Sequence, residues 1–324
     1  MSPPGATPRR GLVLGAGGVL GAAWSVGALC ALEEVGGFDP REAEIILGTS
    51  AGSVLAALIG AGVSTGTLRD HQRGLPLPES LVIDWDHERG TGGARPARPR
   101  LAPGSPELLR HGAVHPRQVR PLVTLAGLLP RGRGNLAPLE RAVRSVLPGQ
   151  DWVARAGLWI VALDYRTGRR VVFGRDGAAP VTLAEAVTAS CAIPGWYAPV
   201  VIDGREYVDG GPRSSTSTDL LAGLGLDEVY VLAPTASLRY DRPTALAARL
   251  ERRWRHRVTA LLLREARRVE RAGARVVLLT PGPSDLVAIG SNLMDPTRRL
   301  TVLEVALRTA RVVLRDQAET AVGF

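Results

Sequence analysis

Ser50 sits at the centre of Gly48-Thr-Ser-Ala-Gly52, after the apolar run Ile45-Ile-Leu47 and before the small-residue run Ala51 to Ala61. A strand that turns sharply into a helix holds its central residue in strained backbone. It also brings two chain segments so close that the flanking positions must lack bulk, as Gly48 and Gly52 do. The serine hydroxyl is then raised clear of a sheet at a helix N-terminus. There free backbone N–H groups, that of Ala51 among them, can stabilise the oxyanion formed when a serine attacks an acyl carbon. The pattern predicts a nucleophile elbow; the plain alternative is an incidental serine in a glycine-rich turn.

A serine nucleophile needs a base, most often histidine. His71, His87, His111 and His115 fall in or beside an irregular stretch, and His256 lies inside Arg252-Arg-Trp-Arg-His-Arg257. None follows a late strand, so all five read as solvated surface groups. Asp209 is the remaining candidate. It follows the strand-like Glu206-Tyr-Val208, and Gly210 and Gly211 behind it would let the backbone pass close to the nucleophile. A carboxylate within reach of Ser50 can accept its proton directly or through water.

The elements that must bring these residues together follow an α/β rhythm. Leu12-Val-Leu14 and Ile45-Ile-Leu47 read as strands joined by a helix from Ala22 to Glu34, a right-handed βαβ unit. From about Gly74 to Gly134 the sequence fills with Pro, Gly and Arg, with helix-like patches at Pro106 to Arg110 and Pro121 to Leu129, and it reads as an irregular insertion or lid. Leu158 to Ala162 and Arg170 to Phe173 then form a hairpin, Leu183 to Ser190 a helix, and Asp203-Gly204 a hairpin turn before Glu206. Strands at Glu228 to Leu232 and Arg275 to Leu279 flank a helix from about Thr244 to Ala272, and a last helix covers about Pro296 to Ala318. Three glycine-rich turns follow strands: Gly15-Ala-Gly-Gly-Val-Leu-Gly21, the Ser50 turn and Asp209-Gly-Gly211. In a parallel sheet such turns gather at the carboxyl edge, where α/β folds bind ligands.

Composition bounds the chemistry. The chain has 324 residues, is 45% hydrophobic and carries a net charge of +9 with arginine as its only strong cation. Arginine suits phosphate and carboxylate partners, although base composition alone can produce such usage. Aromatics at 4% and the lack of a groove-reading motif argue against nucleic acid. Cys30 and Cys191 form neither a disulfide framework nor a zinc site, and no cofactor or metal is called for. The Pro-rich lead-in over residues 1–10 reads as disordered and lacks a secretory layout, which points to a reducing, cytoplasmic setting. The uncharged run Gly11 to Leu32 has a transmembrane length, but six of its residues are glycine, and it reads as strand, loop and helix.

Taken with Ala189-Ser-Cys-Ala-Ile-Pro-Gly195 and Ile202 to Gly211, the glycine loop and Ser50 turn resemble the patatin-like phospholipase family over about residues 11–235. The resemblance implies a three-layer α/β/α sandwich with a mainly parallel sheet, and hydrolysis of lipid acyl esters by a Ser-Asp dyad. By position, Ser50 is the nucleophile, Asp209 its partner, and the Gly17 and Gly18 amides oxyanion donors. Gly15, Gly21, Gly48, Gly52, Gly210 and Gly211 are the motif glycines. Two positions depart from the family pattern: Ala16 replaces a glycine, and Leu20 replaces a cation that would orient substrate or face a phosphate.

Two other functions fit parts of the sequence. The first glycine loop also resembles a dinucleotide loop of an NAD(P)-dependent oxidoreductase, but the second strand ends in Gly48-Thr49-Ser50 rather than a ribose-binding acid. The helix from Thr244 to Ala272 interleaves Leu246, Leu250, Trp254, Val258, Leu261 and Leu262 with arginines. It could lie on anionic lipid as part of a lipid-surface or regulatory protein. The preferred expectation is that its apolar stripe packs on the sheet and its arginines stay solvated. The sequence therefore predicts one hydrolase domain over 11–324, with a lipid or acyl-ester substrate and at most peripheral membrane contact.

Overall fold

The computed structural model describes residues 7–78, 81–83, 85, 102–155 and 157–322. The first six residues of the lead-in, Asp84, Asp86, His87 and the Arg-rich run 91–100 lie outside the described residues. In chain order the strands are β1 (Arg10–Leu14), β2 (Ile45–Thr49), β3 (Leu158–Asp164), β4 (Arg170–Phe173), β5 (Val200–Ile202), β6 (Arg205–Asp209), β7 (Glu228–Leu232) and β8 (Arg275–Leu279). The helices that bear on the site are α1 (Gly18–Gly36), α2 (Ala51–Gly60), α3 (Thr65–Arg73), α4 (Pro106–Val114), α5 (Pro121–Ala126), α6 (Ala137–Ser145), α7 (Leu183–Cys191) and α8 (Leu246–Arg271). Helices α9 (Pro283–Ile289) and α10 (Arg299–Val322) complete the chain.

The strands form one sheet in the order β5-β6-β3-β2-β1-β7-β8, with β4 also paired to β3. Pairs among β3, β2, β1, β7 and β8 are parallel, whereas β4, β5 and β6 join antiparallel. The parallel strands are apolar almost throughout because both faces are covered. Leu12, Leu14, Ile46, Ile160 and Leu232 enter a core with α1, α2, α7 and α10. Val13, Leu47, Val161 and Val231 enter a second core beneath α8. The α/β/α layering expected from the sequence is thus present.

Helix α1 is long and apolar enough to cross a membrane by length and composition, but most of it is buried inside the protein. It packs along α10, where a Cβ on Gly27 would lie 2.7 Å from that of Ala306. The Asp203-Gly204 turn has positive φ at both residues (46° and 72°), as a tight β5–β6 hairpin requires. Helices α3 and α6 had no counterpart in the sequence reading. Within the stretch read as irregular, α4 and α5 are regular helices, and Leu108, Val119 and Val123 pack on Leu163, Tyr165 and Val208.

The expectation for α8 is corrected. Its N-terminal half turns Leu246 (71% exposed), Leu250 (56%) and Trp254 (37%) outward and buries Arg252 (6%) and Arg255 (0%). The physical reason is polar. Arg255 pairs with Glu251 and donates to the carbonyls of Pro234 (2.7 Å) and Ala236 (3.1 Å). Arg252 pairs with Asp241 and Glu251 and donates to the Leu286 carbonyl at 2.9 Å. A fully paired guanidinium tolerates burial, and the α8 apolar residues are left outside.

Candidate active site

Strand β3 is where two distant segments meet. It pairs Thr49 of β2 at Val161 and Asp209 of β6 at Ala162, adjacent register positions, so residues 160 apart in sequence come together. Ser50 lies in the turn from β2 to α2 with φ 54° and ψ −127°, a strained backbone for a non-glycine residue. A Cβ on Gly52 would sit 2.0 Å from the Leu14 carbonyl oxygen, and one on Gly48 2.5 Å from the Ser53 Cα. Backbone occupies the space, so both positions admit only glycine.

Side chains from α2 and α7 hold the turn. The Ser50 amide donates to Ser190 Oγ at 2.8 Å, and Ser190 Oγ donates to the Val161 carbonyl at 2.7 Å. Ser53 Oγ donates to the Ser50 carbonyl at 2.6 Å. Ser50 and Asp209 are both buried. The Asp209 carboxylate lies beside the Ser50 side chain, which favours its charged form, and accepts the Gly211 amide at 2.7 Å. Burial outweighs both effects and raises its pKa from 3.8 to about 6.

The glycine loop lies beside this pair. The amides of Gly15 and Ala16 are taken by the carbonyls of Leu232 (2.9 Å) and Ser215 (2.7 Å), and that of Leu20 by Leu293 (3.0 Å). Gly17, Gly18 and Ala51 have no backbone hydrogen-bond acceptor among the described residues, which leaves their amides available at the N-termini of α1 and α2. Gly18 has φ +58°, and a Cβ there would meet Met294 Sδ at 2.7 Å. Ala16 needs no positive φ, so its departure from the family pattern carries no backbone strain. Leu20 is buried in the core, so that position presents nothing to the site.

Two spaces meet at Ser50. One is apolar and runs between α2, α3 and α6, with Val54, Leu58, Leu68, Leu136, Leu139 and Tyr197 among its walls. The other is an open cleft of about 2430 Å³ between α5 and α8 that also contains Asp209. Four arginines edge the cleft, Arg120, Arg213, Arg257 and Arg264, and none makes an ion pair with a described residue. Arg213 is half-buried, and burial, Arg170 and Arg120 lower its pKa.

The described histidines have partners away from Ser50. His256 stacks on Tyr240 with ring centroids 3.8 Å apart, and His111 on His115 at 4.6 Å. His71 differs from expectation. It is mostly buried and lines the apolar cavity, where burial lowers its pKa and the Trp85 backbone is its hydrogen-bond partner. Both cysteines are free and buried, and burial and the Asp209 charge push the Cys191 thiol far up. Trp196 lines neither space, whereas Tyr197 beside it walls the apolar one.

Three supports escaped the sequence reading. Ser190 lies within Ala189-Ser-Cys-Ala-Ile-Pro-Gly195, a pattern that does not itself disclose its bonds to the Ser50 turn. Glu265, buried on α8, accepts Ser214 Oγ (2.9 Å), Thr216 Oγ1 (3.0 Å) and the Thr218 amide (3.1 Å), and so fixes the loop behind Asp209. Met294 walls both spaces. Only tertiary packing reveals the last two, since neither belongs to a local motif.

Comparison with known proteins identifies the family. The family model "Patatin-like phospholipase" matches residues 12–222, almost two thirds of the chain, and the protein belongs to that family. Membership makes it a lipid hydrolase by family and displaces the dinucleotide reading of the glycine loop. Among solved structures, VipD from Legionella pneumophila is 15% identical with a TM-score of 0.45, over 96% of this chain and 67% of that one. The type III effector protein ExoU is 20% identical with a TM-score of 0.36, over 95% of this chain and 53% of that one. ExoU from Pseudomonas aeruginosa in complex with SpcU is 17% identical with a TM-score of 0.35, over 93% and 53%. This chain therefore spans about half the length of these ExoU chains.

Proposed function

We propose that the protein is a serine hydrolase that cleaves a carboxylic ester of a lipid through an acyl-enzyme on Ser50, with Asp209 as its base. The observation that carries this reading is the Asp209 carboxylate beside a serine held in strained backbone, where an apolar cavity meets a cationic cleft. The acyl chain enters the cavity and the alcohol half of the ester stays in the cleft. Ser50 Oγ attacks the acyl carbon and its proton passes to Asp209. The amides of Gly17, Gly18 and Ala51 stabilise the oxyanion. The ester C–O bond breaks, the alkoxide takes the proton from Asp209, and the alcohol leaves. Asp209 then accepts a proton from water, whose oxygen attacks the acyl-enzyme, and returns that proton to Ser50 as the fatty acid is released. A base with a pKa near 6 is deprotonated at neutral pH yet basic enough to accept this proton.

The unpaired arginines support a leaving group that carries phosphate, so the substrate class is a phospholipid or lysophospholipid. Purified protein incubated with phosphatidylglycerol, triglyceride and nitrophenyl esters tests this, with released fatty acid as the readout. Ser50-dependent release from the phospholipid is expected. Turnover of the neutral glyceride alone would overturn the phosphate assignment, and turnover unchanged in Ser50→Ala would overturn the mechanism.

A further inference from the structure

We infer that the crests of α5 and α8 form a docking face for an anionic lipid bilayer, which sets the mouth of the cleft against the membrane. The inference rests on the proposed lipid substrate for its purpose but on separate residues for its evidence. On α8, Leu246, Leu250, Trp254, Arg257, Leu261 and Arg264 recur at spacings of three and four, which places them on one helix face. That face is opposite the buried side that carries Arg255, Thr259 and Val269. Across the cleft, α5 and the turn after it expose Leu122 (54%), Leu125 (53%) and Leu129 (45%). Leu122, Leu125 and Leu129 line the same opening as Trp254 and Leu261.

Large exposed apolar side chains gathered on both sides of one opening are uncommon on a protein surface and mark an interaction site. Charge selects the occupant. Arg257 and Arg264 lie within the apolar crest of α8, Arg249 and Arg253 flank it, and Arg120 stands at the start of α5. All five are exposed and none pairs with a described carboxylate. A helix with leucine and tryptophan on its outer face and arginine beside them suits the boundary between acyl chains and anionic head groups. Helix α8 lies outside the segment that matches the family model, whereas α5 lies inside it.

Co-sedimentation of the full-length Ser50→Ala protein with vesicles tests the face without hydrolysis. The vesicles are pure phosphatidylcholine or phosphatidylcholine with about one third phosphatidylglycerol. Binding to the anionic vesicles at least about tenfold tighter, and weakening with salt, is expected. Leu246→Ser with Leu250→Ser should cut that binding about tenfold. Both sites are exposed and outside the cleft, so in the Ser50 background the same pair should leave soluble-ester turnover unchanged. Equal binding to both vesicles, or binding unaffected by the leucine pair, overturns the inference. So does a wild-type dimer that the pair dissolves, since that would assign the face to a second copy. Vesicle binding with soluble-ester turnover that persists in Ser50→Ala would sink the proposed mechanism and leave the face standing. Ser50-dependent turnover without vesicle binding would do the reverse.

Discussion

Ser190 Oγ accepts the Ser50 amide at 2.8 Å and donates to the Val161 carbonyl at 2.7 Å, so one hydroxyl ties the strained turn to the strand that carries Asp209 in register. Ser190→Ala leaves a buried amide and a buried carbonyl without that partner. The expected cost is about 1–3 kcal/mol of stability. Ester turnover should fall about tenfold or more through kcat with KM nearly constant, because the nucleophile shifts while the walls stay. Urea unfolding and steady-state kinetics check both; unchanged kcat would remove Ser190 from the positioning of Ser50.

Glycine positions separate into obligatory and permissive. Gly52→Ala drives a Cβ to 2.0 Å from the Leu14 carbonyl oxygen, and the expected loss is about 3 kcal/mol or more with activity abolished. Gly66→Ala in α3 meets nothing closer than Ser64 Oγ at 3.8 Å and should stabilise the protein by about 0.5–1 kcal/mol. Melting temperatures of the two variants, measured side by side, are the check.

Asp209 links activity to pH. Burial raises its pKa from 3.8 to about 6, so the folded chain binds this proton more tightly than the unfolded chain. Its contribution to stability is therefore full below pH 3.8 and is lost as pH rises through about 6, a difference on the order of 3 kcal/mol. Activity runs the other way, since the base must be free, and kcat/KM should climb through about pH 6 to a plateau. Asp209→Asn should lose activity yet be more stable than wild type at pH 7.5, with the gap closing near pH 4. Denaturation at both pH values reads the sign directly.

The division into acyl cavity and cationic cleft predicts two separable variants. Leu136→Trp narrows the apolar cavity, so turnover of long acyl esters should fall about tenfold or more while short esters are spared. Arg213→Gln removes a half-buried cation from the cleft and should raise KM for phosphatidylglycerol about three- to tenfold without altering a neutral nitrophenyl ester. Equal effects on both substrates would place these residues in general folding rather than in selection.

The parts of this site that the sequence revealed are those written in short residue patterns. Gly48 is crowded by Ser53 and Gly211 by Asp209, both close in sequence, whereas Gly52 and Gly210 are legible from the same short motifs although the distant Leu14 and Val161 carbonyls crowd them; the apolar runs of the parallel strands follow from burial on both faces. The meeting of Thr49 and Asp209 on β3 depends on register between distant segments, which no window of sequence carries. Helix α8 misled for a different reason. Periodicity treats arginine as solvent-facing, but Glu251 and the Pro234 and Ala236 carbonyls supply partners for Arg255 inside the fold, and the leucines turn outward. In the stretch before Gly134 the helix-like patches at Pro106 and Pro121 marked α4 and α5, but proline and arginine dominate its composition and the contacts of Leu108 and Val123 that order it are tertiary.

The central claim is that Ser50 becomes acylated with Asp209 as its base, and intact-protein mass spectrometry after treatment with a fluorophosphonate tests it most directly. One adduct per chain is predicted, mapped to the peptide that carries Ser50, absent in Ser50→Ala and formed at least about a hundredfold more slowly in Asp209→Asn. An adduct on another residue, or labelling at full rate in Asp209→Asn, would contradict the account.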